Sequence, residues 1–500
     1  MIILLFALAL VVFALLVREF KKGKKVVHGS GAGVSRESAV QRSTLAKFGL
    51  GFRRKTQRVL VLEKPKLDLT PESRYALHLL ENTKQGVFLT GKAGTGKSTL
   101  LKYFRATTKK NVAVVAPTGV AAINVQGQTI HRFFKFKPDI TVETVKQYVP
   151  REQALLYKKL DVLVIDEISM VRPDWIDCIN AFLQLHGPRP GELFGGVQLV
   201  FIGDLYQLPP VVKREEEHIF QSFYNSEFFF SAKSLQSYQF APIELTKVYR
   251  QSDAGFIEAL NAVREGEVER RHLDLLNSRV DETVTTEDNS EALRIWLMPK
   301  KTQVAEVNSK HMEALPGKGR VYVGEVEGGF GVDEMPTSFE LHLKEGAQVM
   351  LLNNDPGGKW VNGDVAKVVG LGRHGVRVLF EDGSYDDIGL HTWDAFRHTL
   401  DASTGKIVAV SDGSYTQLPL KPAWALTIHK SQGKTYDKVV IDFSEGVHHS
   451  GQAYVALSRC RSLEGLILTA PIRRSHIFIH PLVKQFMTLA SQRSRQLVPK

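Results

Sequence analysis

Short apolar runs that are bounded by turn residues recur in two parts of the chain. The earlier runs are VFLTG at 87–91, VAVVAP at 112–117, VLVID at 162–166 and VQLVFIGD at 197–204. The later runs are LRIWLMP at 293–299, KVVIDF at 438–443 and LILTAP at 466–471. Continuous β-rich runs that alternate with helix-compatible stretches are typical of parallel strands buried on both faces. The pattern predicts an α/β fold with two halves, each built around a parallel sheet.

The stretch between the two halves, at about 344–420, has a different pattern. Gly and Asp become frequent there, and the apolar runs are short, as in QVMLL, AKVVGL, VRVLF and IVAVSDGSY. Short strands separated by turn residues are typical of small antiparallel sheets and barrels. We therefore predict a small barrel-like insertion at this place.

The chain begins with an unbroken apolar run at 2–17, which is followed by a basic flank that includes Arg18 and Lys21. A run of about 17 residues is the short end of a membrane span, and a secretory signal would carry its charge before the run. Because the charge follows, the pattern predicts that residues 1–25 are a membrane anchor with a basic flank, in which an apolar helix at 1–17 tethers the chain to the inner face of a membrane. A leader outside the membrane and a cleaved signal are the alternatives. Residues 26–64 are predicted to be a flexible basic linker.

The net charge of +12 is concentrated in this N-terminal part. Of the 65 Lys/Arg and 53 Asp/Glu residues, 14 and 3 lie between Arg18 and Lys66, so the rest of the chain is nearly balanced. Such a basic segment seeks an anionic partner, which is either the nucleic-acid backbone or anionic membrane lipid. The sequence contains only two cysteines, Cys178 and Cys460, which is too few for a disulfide framework and suits a reducing compartment.

The strand predicted at 87–91 leads into a segment that matches G-x-x-x-x-G-K-[ST] at every fixed position. The segment and the residue after it are Gly91, Lys92, Ala93, Gly94, Thr95, Gly96, Lys97, Ser98 and Thr99. Glycines let the backbone wrap around phosphates, and the N–H groups at the start of the following helix attract anions. We predict that this loop binds the phosphates of ATP, with Lys97 at the β- and γ-phosphates and Ser98 as a ligand of Mg²⁺.

Two carboxylates, Asp166 and Glu167, follow the buried run at 162–165. A carboxylate at the end of a hydrophobic strand is the second requirement of a P-loop phosphate-transfer site. Asp166 is predicted to hold Mg²⁺, and Glu167 to polarise the attacking water as general base. These residues predict ATP hydrolysis, but they do not indicate what the hydrolysis drives.

Further segments resemble, in order, the Pif1-like branch of superfamily 1 DNA helicases over about 67–468. Beside the P-loop they are APTGVAA at 116–122, GQTIHRFF at 127–134, DEISM at 166–170, GDLYQLPPV at 203–211, LTKVYRQ at 245–251, WALTIHKSQGKT at 424–435 and AYVALSRCR at 453–461. P-loop ATPases serve many purposes, so it is the ordered set of segments that points to a nucleic-acid motor.

The resemblance implies two RecA-like P-loop domains with parallel sheets and a small SH3-like β-barrel insertion, which the N-terminal apolar helix precedes. The boundaries that we predict are 65–245 for the first RecA-like domain with a small insertion at about 120–150, 246–343 and 421–485 for the second, 344–420 for the SH3-like insertion, and 486–500 for a basic C-terminal tail. ATP would close the cleft between the two RecA-like domains and hydrolysis would release it, which supplies a motor step.

The resemblance also implies roles for residues outside the P-loop. Gln207 would sense the γ-phosphate, and Arg250 and Arg459 would act from the second domain as arginine fingers on transition-state charge. Single-stranded DNA would lie across both domains, held by phosphate contacts and by stacking. The predicted DNA-binding residues are Thr118, Gly119, His131, Phe133, Thr427, His429 and Lys430. Core packing is the alternative for Phe133.

The function implied is an ATP-dependent DNA helicase of genome maintenance, moving 5′ to 3′ on single-stranded DNA and unwinding duplex or forked DNA. A cytoplasmic location is expected, with a nuclear or mitochondrial location as the alternative, and no stable protein partner is inferred. One departure is Ser73, which stands where family members carry a glutamine that reads adenine, so selectivity for ATP stays open. The alternatives are a RecD-like or RNA-directed motor and a membrane-anchored P-loop NTPase switch.

Overall fold

The strands expected from the apolar runs are seen in a computed structural model that describes residues 60, 63–137, 139–145, 151–212, 214–249, 253–287, 293–444 and 446–499. The predicted anchor and nearly all of the predicted linker lie outside these residues. Within the described part of the chain, no helix is both long and apolar enough to cross a membrane. All described residues belong to one compact unit, Arg53–Lys500.

The early apolar runs form a six-stranded parallel sheet. Its strands are β1 (Gly86–Gly91), β2 (Val112–Ala116), β3 (Gln128–Thr129), β4 (Val162–Ile165), β5 (Gln198–Ile202) and β6 (Phe240–Leu245). They are arranged in the order β3-β2-β4-β5-β1-β6, so the loops after β1, β4, β5 and β6 emerge at the same edge. Phe88 belongs to a hydrophobic cluster on one face and Val87 and Leu89 to a cluster on the other, as expected for a sheet buried on both faces.

Helices connect these strands. They are α1 (Pro71–Asn82), α2 (Lys97–Thr107), α3 (Gly119–Asn124), α4 (Ile130–Phe134), α5 (Arg151–Lys158), α6 (Pro173–His186) and α7 (Arg214–Phe223). The predicted helix after the P-loop is confirmed as α2, and its apolar residues Leu100, Leu101 and Phe104 lie at helical spacing and are buried. The spacing therefore fixes which face of α2 meets the sheet.

The late apolar runs form a second parallel sheet. Its strands are β7 (Ile295–Met298), β18 (Ala425–Thr427), β19 (Val439–Ile441) and β20 (Leu466–Leu468), in the order β18-β7-β19-β20. The helices of this half are α8 (Ala254–Glu265), α9 (Arg270–Asn277), α10 (Lys301–Ala314), α11 (Ile428–Ser431) and α12 (Gln452–Leu457). A separate hydrophobic cluster that includes Phe256, Leu297 and Ile441 forms its core. The predicted α/β class with parallel sheets is confirmed.

Antiparallel strands fill the chain between β7 and β18. They are β8 (Arg320–Val323), β9 (Glu325–Gly328), β10 (Glu340–Leu343), β11 (Gln348–Leu351), β12 (Val365–Leu371), β13 (Gly375–Phe380), β14 (Tyr385–Gly389), β15 (His391–Leu400), β16 (Ile407–Gln417) and β17 (Leu420–Pro422). They pair as β10-β8, as β14-β13-β12-β11-β17 and as β15-β16-β9. Antiparallel pairing therefore covers the predicted insertion and also 320–343, ahead of the boundary that we placed at 344.

The hairpin of β15 and β16 packs against the first parallel sheet. The backbone N–H of His398 donates to the side-chain oxygen of Gln128 in β3 at 2.9 Å. The backbone N–H of Ile407 donates to the side-chain oxygen of Asn111, which immediately precedes β2, at 2.9 Å. The antiparallel region thus covers the β2–β3 edge of the sheet, which would otherwise expose unpaired backbone groups.

The chain returns to the first sheet at its C-terminal end. Helix α13 (Pro481–Leu497) buries Val483 and Met487 in the cluster that contains Phe88. The hydroxyl of Ser494 accepts a hydrogen bond from the backbone N–H of Glu244 in β6 at 3.0 Å. Most of the segment predicted as a basic tail, 486–500, therefore belongs to a packed helix.

Candidate functional site

The loop between β1 and α2 has a backbone that glycine adopts most readily. Gly91, Gly94 and Gly96 have φ angles of 148°, 78° and 86°. A Cβ at Gly91 would lie 2.6 Å from the carbonyl oxygen of Leu245, so a side chain does not fit there. Helix α2 begins directly after Gly96, and the free N–H groups of its first turn are available to an anion. The strand, loop and helix expected of a phosphate-binding element are all present.

Lys97 folds back over this loop. Its ammonium donates hydrogen bonds to the carbonyl oxygens of Gly91 at 2.7 Å and Lys92 at 3.0 Å. Burial lowers the pKa of Lys97, whereas the negative charges of Asp204 and Glu167 act in the opposite direction. A partly desolvated ammonium beside a row of N–H donors is suited to bind phosphate.

Two buried carboxylates follow β4 at the same edge of the sheet. Burial raises the pKa of Asp166 to about 7, and the neighbouring charge of Glu167 acts in the same direction. Burial also raises the pKa of Glu167, whose backbone is left-handed, with a φ of 51°. A left-handed backbone at a residue other than glycine is costly, and such residues cluster at functional sites. With the exposed hydroxyl of Ser98, these oxygens fit the ligand preference of Mg²⁺.

The second parallel sheet reaches these groups through Gln432, which follows α11. The amide Nε2 of Gln432 donates to a carboxylate oxygen of Glu167 at 3.3 Å and to the side-chain oxygen of Gln207 at 3.0 Å. Gln207 lies in the loop after β5 and is buried. The loops that follow β4 and β5 are thus linked to the segment that follows β18. Sequence reasoning missed Gln432, because nothing in the run at 424–435 distinguishes its side chain from the other polar ones.

Arg459, predicted to be an arginine finger, is buried in the second half with 1% of its surface exposed. Its guanidinium donates to Ser458 Oγ at 2.7 Å, Val455 O at 2.8 Å, Lys434 O at 2.9 Å and Ser431 O at 3.4 Å. Its charge also acts to lower the pKa of Glu167. Arg459 therefore holds the loop that carries Gln432, and its finger role stays a prediction. Arg250 lies outside the described residues.

The residues predicted to bind DNA in the second half lie at the carboxyl end of β18. The hydroxyl of Thr427 accepts a hydrogen bond from the backbone N–H of Lys430 at 3.2 Å, and Thr427 is buried. Thr427 thus caps α11, and its side chain does not reach the surface. Lys430 is exposed. Burial lowers the pKa of His429 to about 4, so its ring is neutral at pH 7 and offers a phosphate a hydrogen bond and no charge.

In the first half, the corresponding residues follow β2. Thr118 is exposed and caps α3. Gly119 packs closely against the antiparallel region, because a Cβ there would lie 2.9 Å from the carbonyl oxygen of Asp333. The ring of His131 meets the ring of Trp175 edge to face, with 4.5 Å between the centroids. Trp175 is a partly exposed aromatic residue that sequence reasoning did not assign to this surface.

The prediction that Phe133 stacks on bases is wrong. Phe133 is 4% exposed, and its ring packs edge to face against Tyr157 at 5.4 Å and His398 at 5.5 Å between ring centroids. Both neighbours belong to the packed interior where the β15–β16 hairpin meets the first half. Core packing, the alternative interpretation of this residue, is therefore correct, since a ring enclosed in this way has no face for a base.

Ser73 stands where a glutamine that reads adenine is expected, and its side chain forms a hydrogen bond within the protein. Its hydroxyl accepts a hydrogen bond from the hydroxyl of Thr70 at 3.1 Å, and Ser73 is buried at the start of α1. A half-exposed ring lies nearer the P-loop: the backbone N–H of Tyr249 donates to the carbonyl oxygen of Gly94 at 3.0 Å. The Tyr249 hydroxyl donates to a carboxylate oxygen of Asp68 at 3.1 Å.

A phosphate-binding loop and two buried carboxylates stand at one edge of a parallel sheet, and an amide from a second parallel sheet joins them. Fold and site together define a P-loop nucleotide-binding protein with two parallel-sheet halves. The family model described as PIF1-like helicase matches residues 69–273. The Pif1 helicase of Bdellovibrio bacteriovorus is 32% identical over 435 residues, which cover 84% of this chain and 92% of that one. The chain belongs to the PIF1-like helicase family.

Solved structures agree with this assignment. The structure of Bacteroides sp Pif1 in complex with ADP-AlF4 is similar with a TM-score of 0.77 and 37% identity, over 85% of this chain and 98% of that one. The structure of the Bacteroides Pif1 helicase in complex with ADP-AlF3 and ssDNA has a TM-score of 0.61 and 36% identity over the same shares. The chain spans 58–62% of the length of the curated Xenopus laevis, Danio rerio and Homo sapiens PIF1 helicases that it matches.

Proposed function

We propose that this chain is an ATP-dependent DNA helicase that moves 5′ to 3′ along single-stranded DNA and unwinds duplex or forked DNA. The observation that carries the proposal is the bridge from Gln432 to Glu167 and Gln207. Gln432 belongs to the second half, whereas Glu167 and Gln207 belong to the first. Binding of a nucleotide at the P-loop would therefore affect the second half through these hydrogen bonds. Family membership supports the same function, since a relative matched over nearly its whole length is an ATP-dependent DNA helicase.

The residues of the first half would divide the nucleotide chemistry among them. Lys97 would bind the β- and γ-phosphates, while Ser98 and Asp166 would hold Mg²⁺. Glu167 would orient and polarise the attacking water, and Gln207 would respond to the γ-phosphate. Arg459 would add positive charge from the second half, since its field already reaches Glu167. ATP is the nucleotide proposed, although Ser73 does not reproduce the contact of a glutamine.

Single-stranded DNA would lie across the carboxyl ends of both sheets. Thr118 and Lys430 are exposed at these ends, one in each half, and would contact phosphates without reading bases. The similar Bacteroides Pif1 helicase forms a complex with ADP-AlF3 and ssDNA, which supports simultaneous binding of a nucleotide and a DNA strand here. Closing and opening of the halves around ATP would shift one contact relative to the other and so move the strand.

A strand-displacement assay tests the proposal. Duplexes with a 5′ tail, a 3′ tail or no tail are offered with ATP and Mg²⁺, and displacement is expected on the 5′-tailed duplex alone. The Lys97→Ala variant is expected to displace none of them, and it controls for a contaminating helicase. Stimulation of ATP hydrolysis by single-stranded DNA is expected to exceed stimulation by RNA of the same sequence. Preference for the 3′ tail, or stronger stimulation by RNA, would contradict the polarity or the substrate, respectively.

A further inference from the structure

A buried ion pair joins the two parallel-sheet halves beside the P-loop. Arg264 lies in the last turn of α8, in the second half, and Asp204 lies just after β5, in the first half. The guanidinium Nε donates to one carboxylate oxygen at 3.1 Å and Nη2 donates to the other at 3.0 Å. The two side chains are 1% and 0% exposed, so both charges are withheld from water. Such a pair persists only in good geometry, and here the contact is bidentate.

Arg264 also contacts the rest of the loop that Asp204 begins. Its guanidinium carbon lies 4.4 Å from the centroid of the Tyr206 ring, and Gln207 is the next residue. The backbone N–H of Gln207 donates to the carbonyl oxygen of Asp204 at 2.9 Å. Arg264, from the second half, therefore contacts this loop at Asp204 and at Tyr206, directly before Gln207.

Asp204 also lies beside the P-loop lysine. Strands β1 and β5 pair in parallel, and the N–H of Gly203 donates to the carbonyl oxygen of Leu89 at 3.1 Å, so Asp204 follows at the level of Gly91. The carbonyl oxygen of Gly91 accepts a hydrogen bond from the ammonium of Lys97 at 2.7 Å. Burial lowers the pKa of Lys97, and Asp204 is the charge that opposes this effect most strongly. An uncompensated carboxylate at this place would compete with a triphosphate for the ammonium and would repel the phosphates. Arg264 occupies both oxygens of that carboxylate and supplies the compensating charge.

We propose that Arg264 is a positioning residue of the nucleotide site. From the second half, Arg264 prevents the Asp204 carboxylate from pairing with Lys97, so that the Lys97 ammonium can bind the triphosphate. It also aligns the loop that carries Gln207. The inference rests on the proposed ATP site at Lys97, and it does not require Arg264 to touch the nucleotide. It assigns the second half a share in ATP affinity as well as in the rate of hydrolysis.

Steady-state ATPase kinetics of the full chain, with saturating single-stranded DNA, test this role. Arg264→Met is expected to raise the KM for ATP about tenfold or more and to lower kcat, because Asp204 becomes free to pair with Lys97. KM does not depend on the fraction of enzyme that is folded, so a merely structural loss would leave it unchanged. A wild-type KM in Arg264→Met overturns the proposal.

The double variant Asp204→Asn/Arg264→Met supplies a second, independent test. It has no uncompensated buried charge, so it is expected to fold even if Arg264→Met does not. Its KM is expected to return to within about threefold of the wild-type value, because no carboxylate is left to compete for Lys97. A KM that stays about tenfold raised would overturn the proposal, since it would mean that Arg264 binds the phosphates itself.

Two controls separate the possible failures. Arg271→Ala removes an exposed arginine that pairs with Glu258 and Glu269 on the surface, and it is expected to leave both KM and kcat unchanged. Lys97→Ala tests the underlying ATP site. ATP turnover by Lys97→Ala would refute that site, whereas an inactive Lys97→Ala beside an Arg264→Met of wild-type KM would refute only the role of Arg264.

Discussion

The two parallel-sheet halves contribute to the proposed nucleotide site by different means. In the first half the backbone positions the groups of this site, because Gly91 and Gly96 shape the loop and Asp166 stands at the end of a buried strand. In the second half side chains form it, since Gln432 and Arg264 extend across the junction and are held there by hydrogen bonds. Local structure that is set by the backbone persists when one side chain changes, whereas local structure that is held by side chains depends on each of them.

This difference separates the expected effects of substitutions into two classes. A change at the P-loop should remove nucleotide use without unfolding the protein, because the loop and the sheet remain. A change in the second half should instead lower the rate, the affinity or the stability, because the same side chains hold the local structure and reach the other half. The variants that follow test this separation, beginning with the largest expected effect.

Lys97→Ala is expected to lower ATP turnover by about three orders of magnitude, since it removes the cation proposed to bind the β- and γ-phosphates. Its unfolding temperature should stay close to that of the wild type, because the acceptors of the ammonium among the described residues are two carbonyl oxygens of its own loop. ATPase assays and thermal denaturation measure the two effects. Large destabilisation would show that the loop depends on this side chain, and the distinction between the two halves would then fail.

Arg459→Ala is expected to lower both turnover and stability. Three backbone carbonyls and one hydroxyl in the interior of the second half would each lose the hydrogen bond that Arg459 donates, and the carbonyls of Val455 and Ser431 would keep one other donor. The loss is expected to reduce the free energy of unfolding by about 2–4 kcal/mol, which chemical denaturation measures. An arginine that acts only as a finger would leave the stability unchanged. An inactive variant with wild-type stability would therefore group Arg459 with the P-loop residues, whose substitution removes nucleotide use without unfolding the protein.

Gln432→Ala is expected to lower kcat by about 10- to 100-fold, while the KM for ATP changes less than about twofold. The amide orients Glu167 and Gln207 but belongs to no phosphate-binding element. Gln432→Glu is the matched control of similar size. The glutamate cannot donate to the oxygens of both Glu167 and Gln207, and it adds a carboxylate beside Glu167, so this variant is expected to have a still lower kcat. A KM that rises in parallel with the loss of kcat would place Gln432 among the phosphate-binding groups.

The first half could be predicted from the sequence because its signals are local. The apolar run at 87–91 predicts a buried strand, and the glycines after it predict the turn. The spacing of Leu100, Leu101 and Phe104 predicts the buried face of the next helix. Likewise, the apolar run before Asp166 places that carboxylate at the edge of the sheet. Each inference needs only neighbouring residues and the rules of strand and helix periodicity.

The contributions of the second half could not be predicted in this way. Arg264 lies in an ordinary amphipathic helix, and only tertiary packing brings it to Asp204, 60 positions away. Phe133 was misassigned for the same reason, because its burial depends on the β15–β16 hairpin, which supplies His398 from far along the chain. Sequence patterns indicate which face of an element is apolar, but not which distant element covers it.

The smallest expected effect concerns His398, and it tests whether the stability of the first half also depends on the β15–β16 hairpin. Its Nε2 accepts from the N–H of Val114 and its Nδ1 contacts the oxygen of Gln128, so the buried ring must be neutral. Burial, helped by the charge of Arg105, lowers its pKa to about 3. A pKa below that of the unfolded chain, about 6.5, means that stability is complete above this pH and is lost as the pH falls.

Between pH 6.5 and 5.5, His398 should therefore reduce the free energy of unfolding by about 1 kcal/mol, with further loss down to about pH 3. Denaturant titrations of the wild type and of His398→Gln at both pH values isolate this contribution, because the other titrating groups are common to the two proteins. The stability advantage of the wild type over the variant is expected to shrink by that amount. Parallel pH profiles would mean that the ring is protonated, or solvated, at the junction, and that the hairpin adds no pH-dependent stability to the first half.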